Sequence, residues 1–277
     1  MTQSPGASAH PAVYWLLAFL LLCVGLRWFE GAMLYIPGRE ITAHPGSYGL
    51  KYEDLHLRAP DGPVLNGWYA ENTPESPVIL LCHGNAGTMS NRLDKLIKFR
   101  TAGASVLLFD YRGYGRSTGV PTEAGTYRDA ETFYRWLIDV KKIEPGRIIF
   151  YGESLGNGVS IEMALRHKPL GLIVESAFTS TMDMGRLVLP WLPVRWMVKY
   201  RYDNLTKIPK VSCPVLVMHS RQDDVIPFEM GRTLFEAAPE PKTFLEMKGS
   251  HNDGFMDTGP AYDDAVERFL KSLPSHF

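Results

Sequence analysis

Residues 148–156 read Ile148-Ile149-Phe150-Tyr151-Gly152-Glu153-Ser154-Leu155-Gly156, a β-rich run that stops on a G-x-S-x-G pentapeptide. A helical pattern follows at 158–166. Strand, sharp turn and helix are the setting in which that pentapeptide has chemical meaning. A serine hydroxyl is a weak nucleophile until it is lifted clear of the sheet and set beside a base. The turn does the lifting, and glycines at 152 and 156 let neighbouring backbone approach where larger side chains would obstruct it. The start of the helix adds a field that favours developing negative charge. Ser154 is therefore the candidate nucleophile.

Outward from this turn the chain alternates. β-rich runs stand at 55–58, 65–69, 78–82, 105–109, 148–151, 171–174, 215–219 and 243–247, with helical patterns at 91–100, 122–141, 158–166, 229–237 and 261–270. The third to sixth runs are dense in Val, Ile, Leu and Phe without polar alternation, as in strands covered on both faces of a mostly parallel sheet. The first two are short and partly alternating, which predicts an antiparallel edge. Thr122 followed by Glu123 marks a helix start, and Glu144-Pro145-Gly146 marks a turn before the next strand. Together these patterns predict one α/β domain on a mostly parallel eight-stranded sheet with helices on both faces.

Acyl chemistry at a serine needs an oxyanion site, a base and an acid that orients the base. The run 78–82 ends in His83-Gly84-Asn85-Ala86-Gly87, a turn whose backbone N–H groups can face the same pocket. The oxyanion donors are assigned as the N–H of Leu155, directly after the nucleophile, and that of Asn85. His83 comes too early in the chain for the base and is read as a structural brace. The run 215–219 ends in Ser220-Arg221-Gln222-Asp223-Asp224, and the run 243–247 in Lys248-Gly249-Ser250-His251. Asp223 is assigned as the orienting carboxylate and Asp224 as a solvated loop residue. His251, on a loop made flexible by Gly249 and Ser250, is assigned as the base ahead of His219, inside a strand pattern, and His276, at the C-terminus.

The segment 179–208 interrupts the rhythm. Its stretch Leu187-Val188-Leu189-Pro190-Trp191-Leu192-Pro193-Val194-Arg195-Trp196-Met197-Val198 is too rich in proline for one straight helix and too apolar for a solvated loop. Two readings stand: a pair of short helices packed on the body of the domain, or a small cap whose inner face binds an acyl or other apolar group. The cap reading makes Leu187, Trp191 and Trp196 candidate substrate-binding residues.

Composition narrows the class further. The 277 residues are 45% hydrophobic and 21% charged, as expected of a globular chain with a sizeable core. Lys and Arg number 29 against 30 Asp and Glu, a net charge of -1 with no basic excess to neutralise phosphates, which argues against nucleic acid as a partner. Cys23, Cys82 and Cys213 form no C-x-x-C pair, so neither a disulfide framework nor a zinc site is expected. The chemistry expected at Ser154 calls for no metal and no organic cofactor.

Residues 12–26 are all apolar or Gly, and after Arg27 the apolar character resumes with Trp28 and Phe29. With Arg27 snorkelling, the run is close to the ~20 residues that cross a bilayer. It divides the chain into a tail and hydrophobic membrane anchor, 1–36, and a catalytic domain, 37–277. The alternatives are a cleavable signal peptide, which wants basic residues ahead of the apolar run, and a hydrophobic helix lying on the domain. Arg27 and Arg39 follow the span and no Lys or Arg precedes it, so the positive-inside rule points to a cytoplasmic domain.

Six strings carry a family resemblance: His83-Gly84-Asn85-Ala86-Gly87, Asp110-Tyr111-Arg112-Gly113-Tyr114-Gly115-Arg116-Ser117, the elbow Gly152-Glu153-Ser154-Leu155-Gly156, Glu175-Ser176-Ala177-Phe178-Thr179-Ser180, Asp223-Asp224-Val225-Ile226-Pro227 and Ser250-His251-Asn252-Asp253. They resemble the α/β-hydrolase superfamily. More narrowly, they are similar to its serine-aminopeptidase-like branch of membrane-anchored single-domain proteins, which includes eukaryotic protein depalmitoylases and bacterial relatives. The resemblance covers nearly the whole chain, including the anchor followed by Leu34-Tyr35-Ile36-Pro37. It implies the α/β-hydrolase fold with a small cap insertion, and the chain order Ser154, Asp223, His251 is that fold's order. It also implies a serine hydrolase that cleaves lipid-like or small carboxylic esters or thioesters through an acyl-enzyme on Ser154. An aminopeptidase or amidase with the same triad, and a catalytically inactive binding protein on the same scaffold, are the alternatives. Ser220 departs from the family, where Gly commonly follows the strand histidine.

Overall fold

The computed structural model describes residues 11–274, so His276 and the first ten residues of the tail lie outside the described residues. Eight strands, β1 (Glu53–Arg58), β2 (Val64–Ala70), β3 (Val78–Cys82), β4 (Ser105–Phe109), β5 (Ile148–Glu153), β6 (Gly171–Glu175), β7 (Val215–Ser220) and β8 (Lys242–Met247), form one sheet. Their spatial order is β8-β7-β6-β5-β3-β4-β2-β1. β1 runs antiparallel to β2, and β2 antiparallel to β4. All other pairs are parallel. Every run expected to be extended is a strand, and the antiparallel edge falls on the two runs that alternate.

The helices are α1 (Pro11–Leu34), α2 (Leu93–Thr101), α3 (Glu123–Asp139), α4 (Gly156–Arg166), α5 (Thr181–Val188), α6 (Val194–Met197), α7 (Asn204–Lys207), α8 (Phe228–Ala237), α9 (Gly254–Asp257) and α10 (Pro260–Ser272). Strand residues alternate between two apolar cores. Val78, Leu80, Ile148 and Phe150 face one, with Phe133 of α3, Val159 of α4 and Leu234 of α8. Ile79, Leu81, Ile149 and Tyr151 face the other, with Leu96 of α2 and Val266 of α10. A strand covered on both faces has no polar side to show, which is why these runs lack alternation. α3 begins where Thr122 Oγ1 accepts a hydrogen bond from Gly125 N at 3.0 Å, an N-cap readable in the sequence.

α1 has 24 residues, is long and apolar enough to cross a membrane, and none of its residues is buried. The chain then joins the domain at once. Tyr35 is buried with its hydroxyl 2.8 Å from that of Tyr202. Ile36 and Pro37 pair in parallel with Ala86 and Gly87. Residues 35 and 36, grouped with the anchor on sequence, therefore pack with the domain.

The segment 179–208 folds as three short helices, α5 to α7, where a pair was one of the expected arrangements. Pro190 and Pro193 fall between α5 and α6, and the turn they make sends Leu192, Val194 and Met197 inward to a small core of their own. Leu187, Trp191 and Trp196 are left 56%, 66% and 78% exposed, so the expected inner-face placement of these three does not hold.

Candidate active site

Turns at the carboxyl ends of parallel strands open on one edge of the sheet, where α/β proteins bind their ligands. Cys82 lies opposite Gly152, Glu153 opposite Glu175, and Met247 opposite Ser220. The residues that follow each of these positions consequently emerge together.

Ser154 sits between β5 and α4 with φ +53°, a left-handed conformation that costs a non-glycine residue energy. Neighbours hold it there. Ser154 N donates to the Glu175 carbonyl at 3.0 Å, and Asn157 Nδ2 donates to the Ser154 carbonyl at 2.9 Å and the Glu175 carbonyl at 2.7 Å. A Cβ on Gly156 would run into the Cys82 and His83 carbonyls, and one on Gly152 would lie 2.6 Å from Asn157 Cα. Both glycines are there for close approach.

Ser154 Oγ is 3.0 Å from His251 Nε2, and His251 Nδ1 is 2.8 Å from Asp223 Oδ2. The other Asp223 oxygen accepts from Val225 N at 2.9 Å and Ile226 N at 2.7 Å. Burial pushes the Asp223 carboxyl up, but hydrogen bonding to His219 and His251 outweighs it and holds the group well below the usual carboxylate range. It stays ionised at neutral pH. The two loops are tied together by Ser220, whose hydroxyl donates to the Gly249 carbonyl at 2.6 Å, and by Gly249 N, which donates to Gln222 Oε1 at 2.7 Å.

The turn after β3 lies against the serine. A Cβ on Gly84 would stand 3.5 Å from Ser154 Cβ. The Asn85 carbonyl accepts from Ile36 N at 2.9 Å and from the Tyr114 hydroxyl at 2.7 Å, and Asn85 Nδ2 donates to the Leu34 carbonyl at 3.2 Å. Among the described residues, the backbone N–H groups of Asn85 and Leu155 have no hydrogen-bond partner. His83 is fully buried beneath the turn, with Nε2 3.3 Å from Asp110 Oδ1. That carboxylate oxygen also accepts from Met89 N at 2.7 Å, so Asp110 braces the turn from below.

Beneath the elbow is a buried ionic cluster. Lys95 Nζ lies 2.7 Å from Glu153 Oε2 and 2.6 Å from Glu175 Oε1, Arg92 Nη2 is 2.9 Å from Glu153 Oε1, and the Tyr151 and Tyr262 hydroxyls donate to Glu175. Burial pushes the Glu153 carboxyl up, but the charges of Arg92 and Lys95 prevail and hold it well below the carboxylate range. Among the described residues, no three His, Cys, Asp or Glu side chains are grouped as a metal ion would require.

The structure thus brings Ser154, His251, Asp223, Leu155 and Asn85 together and leaves Leu187, Trp191 and Trp196 outside the group. Sequence reasoning missed two contributors. Asp224, read as a free loop carboxylate, accepts from His251 N at 3.0 Å. Lys95, within an apolar helix face of Leu93, Leu96 and Phe99, is a buried charge whose placement among core residues was itself a signal that it must have partners.

The sequence pattern of the α/β-hydrolase fold matches residues 77–207. The chain is 30% identical over 270 residues to the α/β-hydrolase domain-containing protein WAV2 of Arabidopsis thaliana, covering 88% of each. This chain belongs to the α/β-hydrolase superfamily. Another relative of this hydrolase is the lysophosphatidylserine lipase ABHD12 of Danio rerio, 34% identical over 239 residues that cover 76% of this chain and 62% of that one. Among solved structures, a Pyrococcus furiosus esterase superposes with a TM-score of 0.72 at 20% identity, covering 87% of this chain and 98% of that one, a likeness of fold.

Proposed function

We propose that this hydrolase cleaves acyl esters or thioesters through an acyl-enzyme on Ser154. The observation that carries the reading is the unbroken chain Ser154 Oγ, His251 Nε2, His251 Nδ1, Asp223 Oδ2, with the serine lifted by its left-handed turn. Ser154 Oγ attacks the acyl carbonyl while His251 Nε2 takes its proton, and Asp223 stabilises the imidazolium. The negative charge on the carbonyl oxygen falls to the N–H groups of Leu155 and Asn85. When the intermediate collapses, His251 returns the proton to the departing alkoxide or thiolate. Water, deprotonated by the same imidazole, then releases the acid and restores the serine.

An aminopeptidase with this triad must also hold a free α-ammonium, and the carboxylates near the elbow are already engaged. Glu153 is paired with Arg92 and Lys95, and Glu175 with Lys95. Asp183 accepts from the Thr179 and Ser180 hydroxyls at 2.8 and 2.7 Å. These pairings favour the ester reading. The relative named as a lysophosphatidylserine lipase supports a lipid-like substrate.

We also read α1 as an uncleaved membrane anchor with the domain on the cytoplasmic side. The bonds of residues 27, 30 and 34 of the helix to the domain, which removal of the segment would abolish, support an uncleaved helix, and Arg27 and Arg39, which follow the apolar run, support the cytoplasmic side. A fluorophosphonate probe tests the enzyme reading. Labelling of the native protein and not of Ser154→Ala supports it, and equal labelling of both, or of neither, overturns it.

A further inference from the structure

Asp223 is held from a second side. His219, near the end of β7, is fully buried, and its Nε2 lies 3.0 Å from the Ile226 carbonyl and 3.4 Å from Asp223 Oδ2, the oxygen that also faces His251 Nδ1. The turn closes on itself there, because Ile226 N donates at 2.7 Å to the other Asp223 oxygen. One carboxylate therefore stands between two imidazoles, with Ser154 beyond the second.

Hydrogen-bond accounting fixes the state of the His219 ring. A carbonyl and a carboxylate only accept, so Nε2 carries the proton and donates it. The opposite nitrogen, Nδ1, is buried and has no partner among the described residues. A Cβ on Gly231 of α8 would run into it, so helix backbone packs directly on that side of the ring. A proton on Nδ1 would be a buried donor with nothing to receive it, and the charge it brought would be buried as well. His219 is the neutral tautomer protonated at Nε2.

A neutral donor in this place has an effect on the base. Its N–H adds to the two backbone N–H groups on the other oxygen, favours the ionised carboxylate, and weakens the pull of Asp223 on the His251 proton. His251 must lose the proton on Nε2 before it can take that of Ser154, so a weaker pull lets it serve at lower pH. The other charged groups nearby are engaged elsewhere. Asp224 accepts from the His251 main chain, Glu246 of β8, opposite His219 in register, pairs with Arg221 at 2.7 Å, and Glu229 and Arg232 of α8 are exposed. Glu175 stands opposite Met218 and so faces the other side of the sheet, with Lys95 and Glu153. Among the described residues, Asp223 is the only carboxylate paired with the His219 ring.

We propose that His219 is a positioning residue of the triad, whose neutral ring holds Asp223 in line with His251 and lowers the pH at which His251 becomes a base. The proposal rests on the ester-hydrolase reading and adds a fourth side chain to its array. The measurement is the pH profile of kcat/KM for p-nitrophenyl acetate, on the full-length protein in phosphatidylcholine vesicles. One net hydrogen bond is worth a factor of about 2 to 12, or roughly 0.4 to 1 pH unit. His219→Leu, which has no donor, should move the acid limb up by that amount, and His219→Gln, which restores an N–H, should bring it back toward wild type. An acid limb that stays in place in His219→Leu, whatever happens to kcat, overturns the proposal and leaves His219 a packing residue. A limb displaced as far in His219→Gln as in His219→Leu overturns it too, because lost shape and not a lost donor would then be the cause.

If His219→Leu does not fold, the wild-type protein decides. Its histidines are labelled with nitrogen-15 and followed by magic-angle-spinning NMR in the same vesicles from about pH 5 to pH 8, with the His219 signals identified by their absence from His219→Gln. A protonated Nε2 and a bare Nδ1 throughout support the proposal, and a ring that titrates or carries its proton on Nδ1 overturns it. If the ester reading itself fails, wild type turns over no ester at any pH, while the NMR signals still report on His219.

Discussion

Asp224 Oδ1 accepts a hydrogen bond from His251 N at 3.0 Å while Asp223 Oδ2 lies 2.8 Å from His251 Nδ1, so two consecutive aspartates grip one histidine, one by its main chain and one by its ring. The two substitutions to Asn should therefore differ sharply. Asp223→Asn favours the wrong imidazole tautomer and should lower kcat by about 10⁴. Ser154→Ala and His251→Ala should each cost at least ~10³, because the three act as a unit. Asp224→Asn keeps an acceptor oxygen and should retain near wild-type kcat, whereas Asp224→Ala frees the loop and should cost up to about 10² through misplacement of the ring. Steady-state kinetics on a soluble ester, with far-UV circular dichroism as the folding control, measures all five. A larger loss in Asp224→Asn than in Asp223→Asn would reverse the two roles.

Gly84 lies between the serine and the ionic cluster. A methyl group there would come within 3.1 Å of Glu153 Oε1, 3.2 Å of Arg92 Nη2 and 3.5 Å of Ser154 Cβ. Gly84→Ala should push the turn outward and take the Asn85 N–H off line. Loss of one oxyanion donor typically costs about 10² to 10³ in kcat, so a fall of that size with KM little changed is expected, with fluorophosphonate labelling slowed in parallel. A kcat equal to wild type would remove Asn85 from the oxyanion site.

The strands were legible because both faces of the sheet are covered, so β3 to β6 carry almost nothing but apolar residues. The elbow was legible because backbone approach at Gly152 and Gly156 leaves room for no other residue. Legibility ended where partners come from distant parts of the chain. No local pattern says that Lys95 of α2 will meet Glu153 and Glu175, or that Asp224 will hold His251 by its backbone. The cap misled for a related reason. Its tryptophans are apolar enough to read as inward-facing, but the side chains that turn in are Leu192, Val194 and Met197, which pack against Cys23 and Leu26 of α1 and against Met182, Leu189 and Val198 of the cap itself.

Acid should act through the cluster under the elbow. The Glu153 carboxyl is held below its ordinary range in the folded protein, so its contribution to stability is complete above the pKa of an unfolded carboxyl, ~4.3, and is lost as pH falls toward the folded value. Glu153→Gln should have a lower Tm than wild type at pH 7, and the difference should shrink between about pH 5 and pH 3. Lys95→Met leaves two buried carboxylates facing each other and should destabilise by about 3–5 kcal/mol, the usual cost of breaking a buried ion pair. Differential scanning calorimetry across that pH range measures both. A gap between wild type and Glu153→Gln that widens on acidification would contradict the pairing.

The junction after α1 sets the last expectation. A chain that begins at Pro37, where sequence alone divides anchor from domain, discards the buried Tyr35 ring, its hydroxyl contact with Tyr202, and two of the contacts on Asn85, from Ile36 N and to the Leu34 carbonyl. A chain that begins at Gly31 keeps all of these while losing most of the apolar helix. Full burial of one large side chain is worth about 1.5–3 kcal/mol, and in a domain of this size each kcal/mol moves Tm by roughly 2–4 °C. The chain from Pro37 should therefore melt on the order of 5 °C below the chain from Gly31. Its kcat on a soluble ester should also be lower, because the Asn85 turn has lost its tether, while KM changes little. The full chain should remain with membranes through an alkaline carbonate wash, and both shortened chains should be recovered in the soluble fraction. Equal Tm and kcat in the two shortened chains would show that residues 31–36 only link anchor to domain and do nothing for the oxyanion turn.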